Sequence, residues 1–403
     1  MVTLKHIEQA SKILKNVVYK TPLVYSFSLS ELTGVNLFLK LENLQRTGSF
    51  KIRGAYNKLH KIKRSFKNII AASAGNHAQG VALASKLLGV KATIVMPDLT
   101  PINKILATKH YGADVVLHGN NFEEAYAYAK LLEGSSTGIF IHPFDDPAII
   151  AGQGTIGLEL IEVIQNLEAV FVPIGGGGLI SGISIALKEN NPKIKVIGVQ
   201  SAAFPSMLLS REKGRVVEID SKETIAEGIA IKMVGAIPSK IIQDYVDDII
   251  TVEEHEIENA LLLLTERKKI LVEGAGAVSL AGILKTKENF YKKNTAIIVS
   301  GGNIDIKMLA KIIERGLMKS GRSMKLELEL ADVPGSLAKL ATLLGAIKAN
   351  IVQIFHERFS RNLQLNKAIV EISLETRGYE HQEEILKLLR ENGYNPKGIE
   401  PYT

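Results

Sequence analysis

Cysteine is absent from the 403 residues, which excludes disulfide frameworks, thiolate nucleophiles and cysteine-ligated metals. No apolar run is long enough to span a bilayer, and residues 1–12 hold no apolar segment of the kind a secretory leader needs. The expectation is a cytoplasmic chain with no membrane partner. No low-complexity tract or short repeat is visible. A dinucleotide fingerprint is missing too, because Gly175, Gly177 and Gly182 do not fit Gly-x-Gly-x-x-Gly and stand mid-chain. Lys61, Lys63 and Arg64 cluster without interleaved aromatics, as do Lys285, Lys287, Lys292 and Lys293. The net charge of +7 therefore reads as solvated faces, with no nucleic-acid partner.

What is there is an ordinary globular composition, 46% hydrophobic and 23% charged, on a chain long enough for two or three domains. Residues 4–16 carry the apolar spacing of an amphipathic helix, broken at Thr21-Pro22. A strand at 37–41 and a helix at 54–61 follow. Beyond them, residues 69–73, 91–96, 114–117, 169–174, 195–200 and 295–300 read as buried strands. Residues 79–88, 102–111, 122–132, 157–164 and 180–190 read as helices. This alternation predicts an α/β fold, a mainly parallel sheet covered on both faces with ligands at the carboxyl ends of the strands. Between Arg315 and Lys325 the residues Gly316, Ser320, Gly321, Arg322 and Ser323 read as a polar connector. After it come a strand (324–330), a helix (336–349), two strands (351–358 and 365–375), a helix (379–391) and a last strand near 396–400. That βαββαβ order is the split ferredoxin-like arrangement. The expected domains are 1–318, with a smaller subdomain within about 45–145, then a linker at 319–325 and a second domain at 326–403.

Four stretches carry chemistry. Thr47-Gly48-Ser49-Phe50-Lys51-Ile52-Arg53-Gly54 sets one lysine behind a bulky aromatic, flanked by small residues. Alone, Lys51 and Arg53 read as solvated charges at a helix start; a buried lysine with a neutral amine is what Schiff-base chemistry requires. Ser73-Ala74-Gly75-Asn76-His77-Ala78-Gln79-Gly80 follows a strand and opens a helix, either a carboxylate or phosphate cradle or a capped helix start. Gly175-Gly176-Gly177-Gly178-Leu179 makes sense where backbone N–H groups converge on an anion with no Cβ in the way. Ser300-Gly301-Gly302-Asn303 ends a buried strand with a hydroxyl, which either caps a helix or meets a ring nitrogen. A lysine, a monophosphate nest and a ring partner are the three fixtures that pyridoxal phosphate demands.

With these motifs in this order, residues 1 to about 320 resemble the threonine dehydratases (threonine ammonia-lyases), fold-type II pyridoxal-phosphate enzymes of the tryptophan-synthase-β-like class. The resemblance implies that Lys51 is catalytic and carries pyridoxal 5'-phosphate as a Schiff base. It also implies that Phe50 packs on the ring, Asn76 bonds the ring hydroxyl, and Gly175, Gly176, Gly177, Gly178 and Leu179 hold the phosphate. Ser300 would face the pyridine nitrogen, with Gly228 and Glu273 lining the pocket. Ser73, Ala74, Gly75, Asn76 and His77 would border the substrate carboxylate. The implied reaction converts L-threonine to 2-oxobutanoate and ammonia, with L-serine to pyruvate as a side activity. Serine racemases resemble the same stretch, but in them a serine precedes Gly-Asn-His, where this chain has Ala74. Their carboxylate-based cation site falls at Gln200, Phe204 and Ser206 here, so no metal is expected.

The tail, Ala331-Asp332-Val333-Pro334-Gly335-Ser336-Leu337 with Asn350-Ile351, is similar to an ACT domain. That implies an amino-acid effector held by Asp332, Pro334, Gly335, Ser336, Asn350 and Ile351, with modules pairing across a homodimer or homotetramer. Isoleucine, or valine, follows from pathway logic. A sensor with a decayed catalytic half is opposed by the intact lysine, nest and ring partner, and a nucleotide-binding dehydrogenase by the missing fingerprint.

Overall fold

A computed structural model describes residues 2–62, 68–135, 138–220, 222–359 and 363–398. Lys63 and Arg64 of the first basic cluster, and the end of the last predicted strand, lie outside the described residues. The chain divides into two compact units, Met1–Ile304 and Asp305–Thr403.

The first unit holds two sheets. Strands β1 (Leu23–Tyr25), β2 (Asn36–Leu41), β3 (Asn68–Ala72), β4 (Lys91–Met96), β5 (Asp114–Leu117), β6 (Gly138–Phe140), β7 (Ala169–Pro173), β8 (Lys195–Ser201), β9 (Asp248–Val252) and β10 (Asn294–Val299) follow in chain order. They pair as β5-β4-β3-β6, all parallel, and as β1-β2-β10-β7-β8-β9, parallel except for β1 against β2. Every residue of β7 is buried, as are Thr295 to Val299 of β10, because helices cover both faces of a parallel sheet. Val170, Val172, Ala296 and Ile298 meet Ile180, Ile183 and Leu187 of the helix Gly178–Asn190 and Ile156 and Leu160 of the helix Pro147–Val163 in the main core.

Two elements differ instructively from expectation. The helix expected at 157–164 starts ten residues earlier, at Pro147, capped by Asp146, whose carboxylate accepts from Ala148 and Ile149 N–H. A glycine in a helix interior costs about 1 kcal/mol. Here Gly152 permits close approach, since a Cβ on it would lie 2.6 Å from the Arg53 carbonyl oxygen, and on the neighbouring helix Gly178–Asn190 a Cβ on Gly182 would lie only 2.3 Å from the Ile150 carbonyl oxygen. The helix expected at 54–61 begins at Lys51 itself (Lys51–Ile62), so the lysine sits in the first turn and not in the loop before it.

In the second unit a helix (Ile306–Lys319) runs through Arg315 and Gly316, so only residues 320–322 separate it from β11 (Ser323–Ala331). A helix (Ser336–Ala346), β12 (Asn350–Glu357), β13 (Lys367–Glu375), a helix (Tyr379–Glu391) and the short β14 (Lys397–Gly398) complete it. The sheet is antiparallel with order β12-β13-β11-β14. Leu326, Leu328 and Leu330 alternate inward onto Leu340, Leu344, Ile385 and Leu389 of the two helices, the period-two pattern of a sheet covered on one face. Among the described residues no helix is long and apolar enough to cross a membrane.

Candidate active site

All four chemical stretches leave the carboxyl ends of parallel strands in the first unit. Ser73 to Gly80 follows β3, Gly175 to Leu179 follows β7, Ser300 to Asn303 follows β10, and the segment reaching Lys51 follows β2. The last two are stitched together: Phe50 N–H donates to the Ser300 carbonyl at 3.2 Å, Gly302 N–H to the Gly48 carbonyl at 2.9 Å, and Ser49 bridges Gly301. Gly48 takes φ +68°, and a Cβ there would strike the Asn303 side chain.

Lys51 is half-buried, with Nζ 5.2 Å from the centre of the Phe50 ring and donating to the Pro143 carbonyl at 3.2 Å. Burial pulls its ammonium down to about 8 against the opposing influence of the Glu273 carboxylate. Pro143 lies in His142-Pro143-Phe144, which follows β6 and was not singled out from sequence. Phe144 packs on the nest: a Cβ on Gly176 would fall 2.3 Å from its ring. Gly177 takes φ +93° and starts the helix Gly178–Asn190. The backbone N–H groups of Gly175 to Leu179 donate to no other described group, so five donors at a helix start are left for an anion.

Asn76 opens the helix Asn76–Leu88. Its Nδ2 donates to Glu273 Oε1 at 2.6 Å and its Oδ1 accepts from Asn303 Nδ2 at 2.7 Å. Burial raises the Glu273 carboxyl to about 7, with Asn76 pulling the other way. Gly228 and Gly301 stand beside that carboxylate, where a Cβ would lie 3.6 Å and 2.2 Å from Oε1. Ser300 is buried and its Oγ donates to the Ala275 carbonyl at 3.3 Å. Ser73 Oγ accepts from Gly75 N–H at 3.1 Å, while Ala74 packs against the core of the smaller sheet. His77 differs from expectation: burial drives it down to about 3, and its neutral ring donates from Nε2 to the Ile141 carbonyl at 2.9 Å. That is a tether to the chain after β6, which leaves Nδ1 as the side chain's one remaining polar atom for a substrate.

Beneath the lysine helix, Arg53 is fully buried and bidentate to Glu42, with both oxygens at 2.8 Å, and reaches Glu159 at 2.6 Å and Thr155 at 3.1 Å. Buried Lys40 completes the cluster on Glu159 and the Thr21 carbonyl. Arg53 is therefore no solvated charge. Gln200 and Ser206 spend their polar atoms internally, on the Phe204 carbonyl and Leu208 N–H, and on the Ile231 carbonyl.

In the second unit, Gly335 takes φ +89° at the start of the helix Ser336–Ala346. Asp332 pairs with Arg358 at 3.2 Å, and Asn350 donates to Glu375 at 2.8 Å. Half-buried Ile351 packs on the core of that unit.

Comparison with known proteins agrees with this geometry. The chain is 48% identical over 396 residues to an L-threonine ammonia-lyase of Thermotoga maritima, covering 98% of each chain. Among solved structures it is similar to the processed form of threonine deaminase isoform 2 from Solanum lycopersicum, with TM-score 0.75, 38% identity, and 77% of this chain and 87% of that one covered. It is also similar to maize serine racemase, with TM-score 0.74, 33% identity and coverage of 79% and 98%. The family model described as "Pyridoxal-phosphate dependent enzyme" matches residues 14–301, the span that holds every fixture of the site. The chain belongs to the family of pyridoxal-phosphate dependent enzymes.

Proposed function

We propose that the chain is an L-threonine ammonia-lyase that converts L-threonine to 2-oxobutanoate and ammonia, with L-serine to pyruvate as a slower reaction. The observation that carries the reading is the Lys51 amine, lowered to about 8 beside the Phe50 ring, with the five unpaired N–H donors of the nest packed on the segment it touches. These residues fit pyridoxal phosphate. The nest would supply donors for a phosphate, the buried Ser300 hydroxyl, turned away from the Ala275 carbonyl, a donor for a neutral ring nitrogen, Asn76 an amide for the ring hydroxyl, and Lys51 the amine for the aldehyde. When bound, the cofactor supplies an electron sink for the carbon that bears the amino group.

The chain's own residues do the rest. The helix start at Asn76 and His77 offers N–H groups to the substrate carboxylate, the Gly75 N–H being spent on Ser73 Oγ. The free Lys51 amine would accept the α-proton at Nζ, which its lowered basicity permits near neutral pH. The β-hydroxyl then leaves with a proton as water, matching in number the α-proton taken up at Nζ, and the released imine adds one water across its carbon–nitrogen bond to give the oxo acid and ammonia. Racemisation needs a second proton donor opposite the lysine, and Ala74 offers none. Purified enzyme should release 2-oxobutanoate from L-threonine faster than it interconverts D- and L-serine, read by a coupled dehydrogenase assay and chiral chromatography. The reverse order would establish a racemase.

Cofactor capture carries its own pH signature. With a pKa of about 8, about one Lys51 amine in ten is neutral at pH 7, against roughly one in three thousand for an ordinary lysine. The rate at which apoenzyme takes up pyridoxal phosphate should rise about tenfold per pH unit up to pH 8 and then level off. A stopped-flow absorbance series that keeps climbing to pH 10 contradicts this.

The second unit we read as a ferredoxin-like ACT module. Its order β12-β13-β11-β14 supports the reading, as does Gly335, whose turn leaves the N–H groups of a helix start for an amino-acid carboxylate. The effector would lie near Asp332, Pro334, Gly335, Ser336, Asn350 and Ile351, and such modules pair across subunits of a dimer or tetramer. Truncation after Arg322 should leave threonine turnover and abolish any response to isoleucine or valine, measured as initial rates with and without each.

A further inference from the structure

Asn303 enters neither the cofactor contacts nor the substrate contacts proposed above, yet it holds three segments together. Its Nδ2 donates to the Thr47 carbonyl at 2.8 Å and to Asn76 Oδ1 at 2.7 Å, and Asn76 Nδ2 donates on to Glu273 Oε1 at 2.6 Å. Positions 47, 76, 273 and 303 are remote in sequence. Gly48, at φ +68°, keeps its backbone close over the Asn303 side chain.

An amide side chain is nearly symmetric in shape and opposite in polarity at its two ends, so its orientation is set by what it faces. A backbone carbonyl only accepts. Thr47 therefore demands the amino end of Asn303, and the second hydrogen of that nitrogen demands the oxygen of Asn76. The amino end of Asn76 is thereby turned to Glu273, which accepts it. Among the described residues one Nδ2 hydrogen of Asn76 remains uncommitted.

We propose that Asn303 is a positioning residue, the head of a one-way relay through Thr47, Asn303, Asn76 and Glu273 that fixes Asn76 as a hydrogen-bond donor toward the cofactor. This rests on the reading of the site as a pyridoxal-phosphate pocket. Asn303 itself touches neither cofactor nor substrate. Its function is to deny Asn76 the flipped orientation, in which an amide oxygen would face Glu273.

Isosteric and truncating substitutions separate polarity from space-filling. Asn303→Asp keeps the shape but only accepts, so it repels the Thr47 carbonyl and draws the amino end of Asn76 toward itself. Asn303→Ala removes the instruction without reversing it. The dissociation constant of pyridoxal phosphate from apoenzyme should rise at least about tenfold in Asn303→Asp and by less in Asn303→Ala. Melting temperatures of the apoenzymes should fall in the same order. Adding Glu273→Gln to Asn303→Asp supplies an amide donor opposite Asn76 and lets Asn76 run reversed, so apoenzyme stability should recover in part while cofactor affinity stays weak.

Asn303→Asp binding as tightly as wild type with Asn303→Ala weaker, or all variants binding alike, overturns the relay. Failure of the wild-type chain to bind pyridoxal phosphate sinks the reading of the site instead. The order of the apoenzyme melting temperatures then decides whether the relay has a polarity.

Discussion

Replacing Lys51 by alanine is expected to abolish ammonia release from L-threonine, a loss of at least about 10³-fold, and to remove the yellow absorbance of covalently held cofactor. On the proposed reading the two effects share one cause, because the same Nζ would attach the cofactor and accept the α-proton. Cofactor held by the nest, Asn76 and Ser300 alone should still bind, more weakly and without the covalent signature. Apoenzyme stability moves the other way in the near-isosteric Lys51→Met. The folded pKa of Lys51, about 8, lies below its ordinary value of 10.5, so the unfolded chain binds the extra proton between those limits. The penalty of holding that ammonium is fully present below pH 8 and disappears as pH rises to 10.5. Lys51→Met apoenzyme should therefore melt above wild type at pH 7, and the gap should close by pH 10.5. A yellow, active Lys51→Ala enzyme would remove Lys51 from the chemistry altogether.

The stretches that point to this lysine were legible because each ends a short apolar run with glycine or a hydroxyl residue, and a parallel sheet collects such ends on one side. β3, β7 and β10 were found within one residue at each end, which placed Asn76, the nest and Ser300 correctly on the topology. His142 and Phe144 were missed although they also follow a strand, since β6 has only three residues and gives no alternation to read. The early half of the helix Pro147–Val163 was hidden for a different reason. Glycines chosen for backbone contact look in sequence like glycines chosen for a turn, and only the approach of Arg53 and Gly54 to Gly152 tells them apart. His77 shows the converse: a histidine in a polar motif beside a reactive lysine looked like a substrate contact, yet its Nε2 is spent on the Ile141 carbonyl.

The pairing of Arg53 with Glu159 spans 106 positions and leaves no local trace, yet it underlies the second large expectation. Arg53 and Glu42 are fully buried, Lys40 nearly so, and Glu159 closes a cluster of two cations and two carboxylates. Burial pushes the Glu42 carboxyl up, but Arg53 and Lys40 outweigh it and hold it below the ordinary range. Removing one member leaves a charge in the core without its counterion, which costs about 3–5 kcal/mol. Arg53→Met should therefore lower the melting temperature by roughly 6–10 °C. Adding Glu42→Gln should recover part of the loss, because Lys40 and Glu159 then remain as a balanced pair. The wild-type advantage should shrink as pH falls below 4.5, where the unfolded carboxyl gains its proton before the folded one does. Arg53 lies two residues beyond Lys51 in the first turn of the same helix, so the cluster that stabilises the core also fixes where the amine stands. A variant with unchanged melting temperature would show that water reaches the cluster, and the rigidity of the lysine helix would then need another source.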